Sequence, residues 1–196
     1  MADKVVFLDI DGVLNDETHR TSIECDTIIV AWSEEIARAL LDPARVARLQ
    51  RLCDETDAAV VIVSGWRRWA KADVIASVLA AAGLRAPVLG AVGGLKMHAD
   101  LRASATKEWL VEHPEVRRFV VLDDDRSYWQ GWADLAEALV APSDGLTDAD
   151  VDAALAILRR PEAQPPEKAE APAPVMGDLD AIRAMAEQER LAVVRS

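Results

Sequence analysis

A chain of 196 residues that is 51% hydrophobic and 29% charged has the make-up of one soluble globular domain with a tail. Its formal net charge of −12 weighs against a broad electrostatic grip on long nucleic acid, which needs a basic surface. No apolar run nears the roughly 20 residues of a membrane helix, and MADKVV lacks the parts of a signal peptide, so a cytoplasmic protein with no membrane association is expected.

Residues 4–8 read as a strand buried on both faces. The strand runs into Asp9-Ile10-Asp11-Gly12, which sets two carboxylates on one side of an extended chain. That closeness is costly unless a cation or a retained proton offsets it. Residues 15–41 are mixed, with TIIVAW as a candidate strand in an insert. DPARVARLQRLCDET predicts a helix with Asp42 as N-cap, Pro43 in its first turn and Val46, Leu49 and Cys53 on one face. AAVVIVS, residues 58–64, is a second buried strand, followed by a helix over residues 67–83. APVLGAVG is a third, weaker strand.

SATKEWLVEHP predicts a helix capped by Ser104, and RRFVVLDDD a strand ending on the acids of residues 123–125. YWQGWADLAEAL is expected to be helical through Gly131, and LVAPSD supplies a last short strand. TDADVDAALAILRR is a helix with Thr147 as N-cap and Asp150 closing a capping box. Residues 1–160 thus form the domain, and 161–176 a Pro/Ala/Glu-rich linker. Residues 177–196 form an amphipathic helix that can dock on its own domain, on a second subunit or on a partner. Cys25 and Cys53 are expected as free thiols, and His19, His98 and His113 lack metal-ligand spacing.

Strands alternating with helices imply an α/β fold with a mostly parallel sheet, which binds ligands at the carboxyl ends of its strands. Asp9, Asp11, Ser64 and residues 123–125 all fall there. Converging carboxylates suit Mg²⁺, and one of them can attack phosphorus while a neighbour moves the proton. The Ser64 hydroxyl and the N–H groups after it can hold a phosphoryl oxygen, and Gly65 allows close approach. Arg102 and Lys107 both lie at the front of the helix before the last acids, and either can supply the balancing cation. Trp66, Trp69, Trp129 and Trp132 fall near the site, where core or groove lining is favoured over base stacking.

In order and spacing, VFLDIDG, VVIVSG and VVLDDD resemble the first, second and fourth motifs of the haloacid dehalogenase (HAD) superfamily of phosphohydrolases, over residues 5–141. The resemblance implies a HAD-like Rossmannoid three-layer sandwich and a Mg²⁺-dependent phosphomonoester hydrolase. Asp9 would be the nucleophile and form an aspartyl phosphate, and Asp11 would be the acid/base and lend its backbone carbonyl to Mg²⁺. Ser64 would bind the phosphoryl group, and Asp123 and Asp124 would hold the metal. For the third-motif cation Lys107 is preferred on residue type, while Arg102 has the more usual spacing to the fourth motif.

FLDIDGVLN, VSGWR, LDDD and DGLTDADVDAALAIL look like the small HAD branch associated with RNA-repair proteins. VSGWR and DDR are also similar to the 3′-phosphatase domain of phage polynucleotide kinases, which implies Arg67 as a substrate-binding arginine. No GxxxxGK[ST] occurs, so the kinase half is missing, and GAVGGLKM has its glycines and lysine at another spacing. The short inserts after the first two strands point to a minimal or absent cap, open to a polynucleotide end or a phosphoprotein. A small-metabolite phosphatase, a phospho-accepting domain and a catalytically silent binding module stand as alternatives on the same fold.

Overall fold

The computed structural model describes residues 2–16, 33–93 and 101–160, all in the first of two units of the chain, Met1–Pro165. TIIVAW, Cys25, His19, His98, the linker and the C-terminal amphipathic helix lie outside the described residues.

Short β-branched runs with no polar face pair into a sheet of parallel strands. These are β1 (Lys4–Leu8), β2 (Ala59–Ile62), β3 (Val88–Ala91), β4 (Arg118–Leu122) and β5 (Leu139–Val140), in the order β3-β2-β1-β4-β5. The chain builds outward from β1 to β3 on one side, then crosses back to lay β4 and β5 on the other. The switch point therefore falls between β1 and β4, where a parallel sheet opens a crevice at its carboxyl edge.

Among the described residues, six α-helices cover the two faces: α1 (Glu34–Ala39), α2 (Pro43–Thr56), α3 (Ala72–Ala81), α4 (Arg102–Glu112), α5 (Ala133–Glu137) and α6 (Asp148–Leu158). Side chains alternate along each strand. Val6 and Leu8 of β1 thus enter one core with Leu49 of α2, Leu79 of α3 and Leu155 of α6. Val5 and Phe7 enter the other with Trp109 and Leu110 of α4 and Leu135 of α5. The result is a three-layer sandwich. Phe7 is fully buried and meets Trp109 and Phe119 edge-on, with ring centroids 5.4 and 5.9 Å apart. Such aromatic pairs add about 1 kcal/mol each beyond the area they bury.

Local chemistry places most helix ends where the sequence puts them. Asp42 caps α2 by accepting from the Ala44 N–H, and Thr147 and Asp150 form the full capping box of α6. Cys53 is a buried free thiol on the apolar face of α2, and burial pushes its pKa up to about 12. Three expectations are corrected. Ser104 lies inside α4, its hydroxyl donating back to the Leu101 carbonyl rather than capping. The helix expected over residues 67–83 starts only at Ala72, because Ser64 first caps a separate 3₁₀ turn, Gly65–Arg68. The helix expected through Gly131 is broken there. A 3₁₀ turn, Arg126–Trp129, ends before Gly131 takes a left-handed φ of +85°, and α5 follows.

Between β2 and β3 only the 3₁₀ turn and α3 intervene, so no second domain is inserted there. Among the described residues no helix is long and apolar enough to cross a membrane.

Candidate active site

β1 and β4 pair in register, with Leu8 opposite Leu122. The next residue on each strand is an aspartate, so Asp9 and Asp123 leave the sheet side by side. Their backbone N–H groups extend the ladder, Asp9 to the Leu122 carbonyl at 2.8 Å and Asp123 to the Val140 carbonyl at 3.3 Å. Asp9 continues the Val5–Phe7 face, which places it under the front of α4.

Arg102, the first residue of α4, meets both acids there. Its Nη1 donates to Asp9 Oδ2 at 2.5 Å and to Asp123 Oδ2 at 2.7 Å. Its guanidinium also lies 4.5 Å from the centre of the Tyr128 ring, a cation–π contact. All three members of this cluster are buried. Burial, with Asp123 adding to it, outweighs the pull of Arg102 and Ser64 and lifts the Asp9 carboxyl to about 7. Burial raises Asp123 as well, against the pull of Arg102. Burial works to lower the pKa of Arg102, but the two carboxylates outweigh it and hold the guanidinium charged.

Oxygens of Asp9, Asp123 and Asp124 lie within 4.8 Å of one another. Three carboxylates around one guanidinium leave a surplus of negative charge, and the donors are all hard oxygens, so the set fits a divalent cation such as Mg²⁺. Gly12 keeps Asp124 close. It has a left-handed φ of +74°, and a Cβ there would overlap the Asp124 carboxylate.

The Asp11 carboxylate stands apart from that trio. Trp66 Nε1 donates to its Oδ2 at 3.1 Å, and Asn15 Nδ2 to its Oδ1 at 3.1 Å. Asn15 is itself fixed, since its Oδ1 accepts from the Gly12 N–H at 3.1 Å. Ser64 is buried at the end of β2, level with the Asp9 turn, and its Oγ accepts from the Trp66 N–H at 3.3 Å.

The remaining expected residues divide. Gly65 borders Arg102, but a Cβ there would stand 4.0 Å from Nη2, an ordinary contact that does not require glycine. Arg67 Nη2 donates to the Gly93 carbonyl at 3.1 Å and so ties the turn after Ser64 to the end of β3. Lys107 is not brought to the acids: its Nζ pairs with Asp134 of α5. Five residues along a helix turn a side chain by about 140°, so one face of α4 cannot present both Arg102 and Lys107 to Asp9. The geometry thus reverses the preference drawn from residue type.

Asp9, Asp11, Gly12, Asn15, Arg102 and Asp124 line a cleft of about 530 Å³ together with Asp16, Asp125, Tyr128, Ser143, Asp144 and Gly145. Arg45 supports its far rim by pairing with Asp16 and donating to the Asp144 carbonyl at 3.0 Å. Asn15, Tyr128 and Arg45 were not legible as site residues, and Trp66 was legible only as core or groove lining near the site. Only Asn15, one helical turn beyond Asp11, offered a spacing signal.

A family model described as the HAD domain in Swiss Army Knife RNA repair proteins matches residues 5–151, from β1 into α6. No curated protein and no solved structure matches the chain.

Proposed function

The chain belongs to the family of HAD domains in Swiss Army Knife RNA repair proteins, and from that premise we propose that it is a Mg²⁺-dependent phosphomonoester hydrolase that works through an aspartyl phosphate on Asp9. The observation that carries the reading is the Asp9–Arg102–Asp123 cluster at the switch point of the sheet, with Asp124 in reach of the same centre. Asp9, Asp123 and Asp124, with the backbone carbonyl of Asp11, are the groups to hold Mg²⁺, which supplies positive charge for a dianionic phosphate approaching a carboxylate.

The residues then act in order. Ser64 and the N–H groups of the turn after it receive phosphoryl oxygens, and Arg102 balances the charge that develops in the transition state. A carboxylate oxygen of Asp9 attacks phosphorus and the ester P–O bond breaks. Asp11 gives its proton to the departing oxygen. Water then attacks the aspartyl phosphate, Asp11 takes the proton back, and the acyl-phosphate bond breaks to free inorganic phosphate and the Asp9 carboxylate.

The substrate class is the phosphorylated end of a nucleic acid, with the 3′-phosphate as the specific version. Its support is the family's place in RNA repair, together with a cleft that has no domain inserted between β2 and β3. Arg67, beside Ser64, is the residue to meet the strand next to the phosphate. The test is hydrolysis of p-nitrophenyl phosphate and of 3′- and 5′-phosphorylated oligoribonucleotides, with Mg²⁺ or with chelator, by wild type and Asp9→Asn. Turnover that needs Mg²⁺ and disappears in Asp9→Asn is expected, fastest on the 3′-phosphate. Turnover that persists in Asp9→Asn overturns the mechanism. Preference for small phosphoesters favours a metabolite phosphatase, and no turnover at all favours a binding module.

A further inference from the structure

The Asp11 carboxylate has an N–H donor on each oxygen, and the two donors come from different parts of the chain. Asn15 belongs to the turn that follows β1. Trp66 belongs to the 3₁₀ turn that follows β2, 55 residues away. Trp66 is 5% exposed, and its peptide N–H donates to Ser64 Oγ at 3.3 Å. One residue therefore touches the group proposed to bind phosphate with its backbone and the group proposed to move protons with its ring.

We infer that Trp66 is a positioning residue for proton transfer, its indole N–H locking the Asp11 carboxylate, with Asn15, in one orientation relative to Ser64. This inference rests on the proposed reaction. A buried indole N–H needs an acceptor somewhere. The acceptor here is a carboxylate oxygen at the site, where a backbone carbonyl would have served packing alone. A carboxylate offers about four lone-pair positions, so one donor on each oxygen still leaves room for a proton. After Asp11 gives its proton to the leaving oxygen, the same two N–H groups keep its carboxylate in place. The same fixed carboxylate is then the acceptor for the proton of water.

The chemistry supplies a readout that a packing role would not move. An alkyl leaving group such as a ribose oxygen needs the proton from Asp11, whereas p-nitrophenolate leaves without one. kcat/KM reports the steps up to Asp9 phosphorylation, so it isolates this first transfer. Trp66→Phe keeps the ring in its pocket and removes the N–H. Its kcat/KM on a 3′-phosphorylated oligonucleotide is expected to fall about tenfold or more, through kcat rather than KM, and on p-nitrophenyl phosphate by less than about threefold. In an Asp11→Asn background the same substitution is expected to add nothing.

Equal losses on both substrates, or an undiminished loss in the Asp11→Asn background, overturn the inference. Activity surviving in Asp9→Asn instead overturns the reaction on which it rests, so the two failures are separable. The contact is also read without turnover. The Trp66 indole N–H resonance, identified by its loss in Trp66→Phe, is expected to move in Asp11→Ala, and an unmoved resonance overturns the clamp whatever the activity.

Discussion

Asp9 and Asp123 leave adjacent parallel strands in direct register and share one guanidinium nitrogen, Arg102 Nη1, at 2.5 and 2.7 Å. Two buried carboxylates so close are unfavourable on their own, and one shared cation offsets them only in part. Burial keeps the Asp9 carboxyl raised although Arg102 touches it, and Asp123 adds to the rise. That is the electrostatic state suited to a further cation and to an incoming phosphate balanced by Arg102.

Arg102 and Lys107 are separated by substitution. Arg102→Lys keeps a charge but loses the planar fork, and should lower kcat/KM at least about tenfold. Arg102→Met also strands two buried carboxylates and should destabilise the fold by about 3–5 kcal/mol. Lys107→Met breaks a pair with the partly exposed Asp134, so it should cost less than about 1 kcal/mol and leave kcat/KM within about threefold. Steady-state kinetics and thermal melts of the three variants check this. A loss in Lys107→Met as large as in Arg102→Lys would restore Lys107 as the third-motif cation.

Gly12→Ala probes the turn that delivers Asp11. The variant must hold a φ of +74° with a Cβ that overlaps the Asp124 carboxylate, so both the turn and the acid trio are disturbed. Gly131→Ala is the control, because it has φ +85° with nothing within 4 Å of the added atom. Each should lose about 1 kcal/mol from backbone strain. Only Gly12→Ala should also weaken Mg²⁺ binding, by about tenfold in a calorimetric titration. Equal Mg²⁺ affinity in the two variants would separate Gly12 from the metal site.

The strand ends were legible because parallel strands are continuous apolar runs, and Asp9, Ser64 and Asp123 stand where those runs stop. Parity along β1 carried more than it first seemed to. Val5, Phe7 and Asp9 share the face that α4 covers, and the turn of about 140° between the first and sixth residues of α4 leaves Arg102 as the partner of Asp9. Residue type pointed the other way, to Lys107. The Asp11 clamp was not legible, because Trp66 and Asn15 are joined to it only by the β1–β2 pairing and by a four-residue turn. Gly131 was misread because a single glycine within a helical pattern is tolerated often enough not to signal the break made here.

The raised carboxyl of Asp9 sets a sign for pH and metal together. Its ordinary pKa is 3.8, and in the fold burial, with Asp123 adding to it, outweighs Arg102 and lifts it to about 7. Between those values the folded protein holds a proton that the unfolded chain has lost, so stability declines as pH rises through the window. Below it both states are protonated and above it both are ionised, so the dependence flattens at either end. Asp123 is raised too and works in the same direction. In chelator, therefore, the wild-type Tm should fall from pH 5 to pH 8, and Asp9→Asn, which removes the Asp9 titration, should fall less. On the proposed reading Mg²⁺ takes the ionised carboxylates and competes with the proton, so saturating Mg²⁺ should raise the wild-type Tm clearly at pH 8 and weakly at pH 5. Asp9→Asn should show little shift at either pH. Melting curves of both proteins at both pH values, with chelator and with Mg²⁺, decide it. A Mg²⁺ shift as large at pH 5 as at pH 8, or one retained in Asp9→Asn, would place the cation somewhere other than on Asp9.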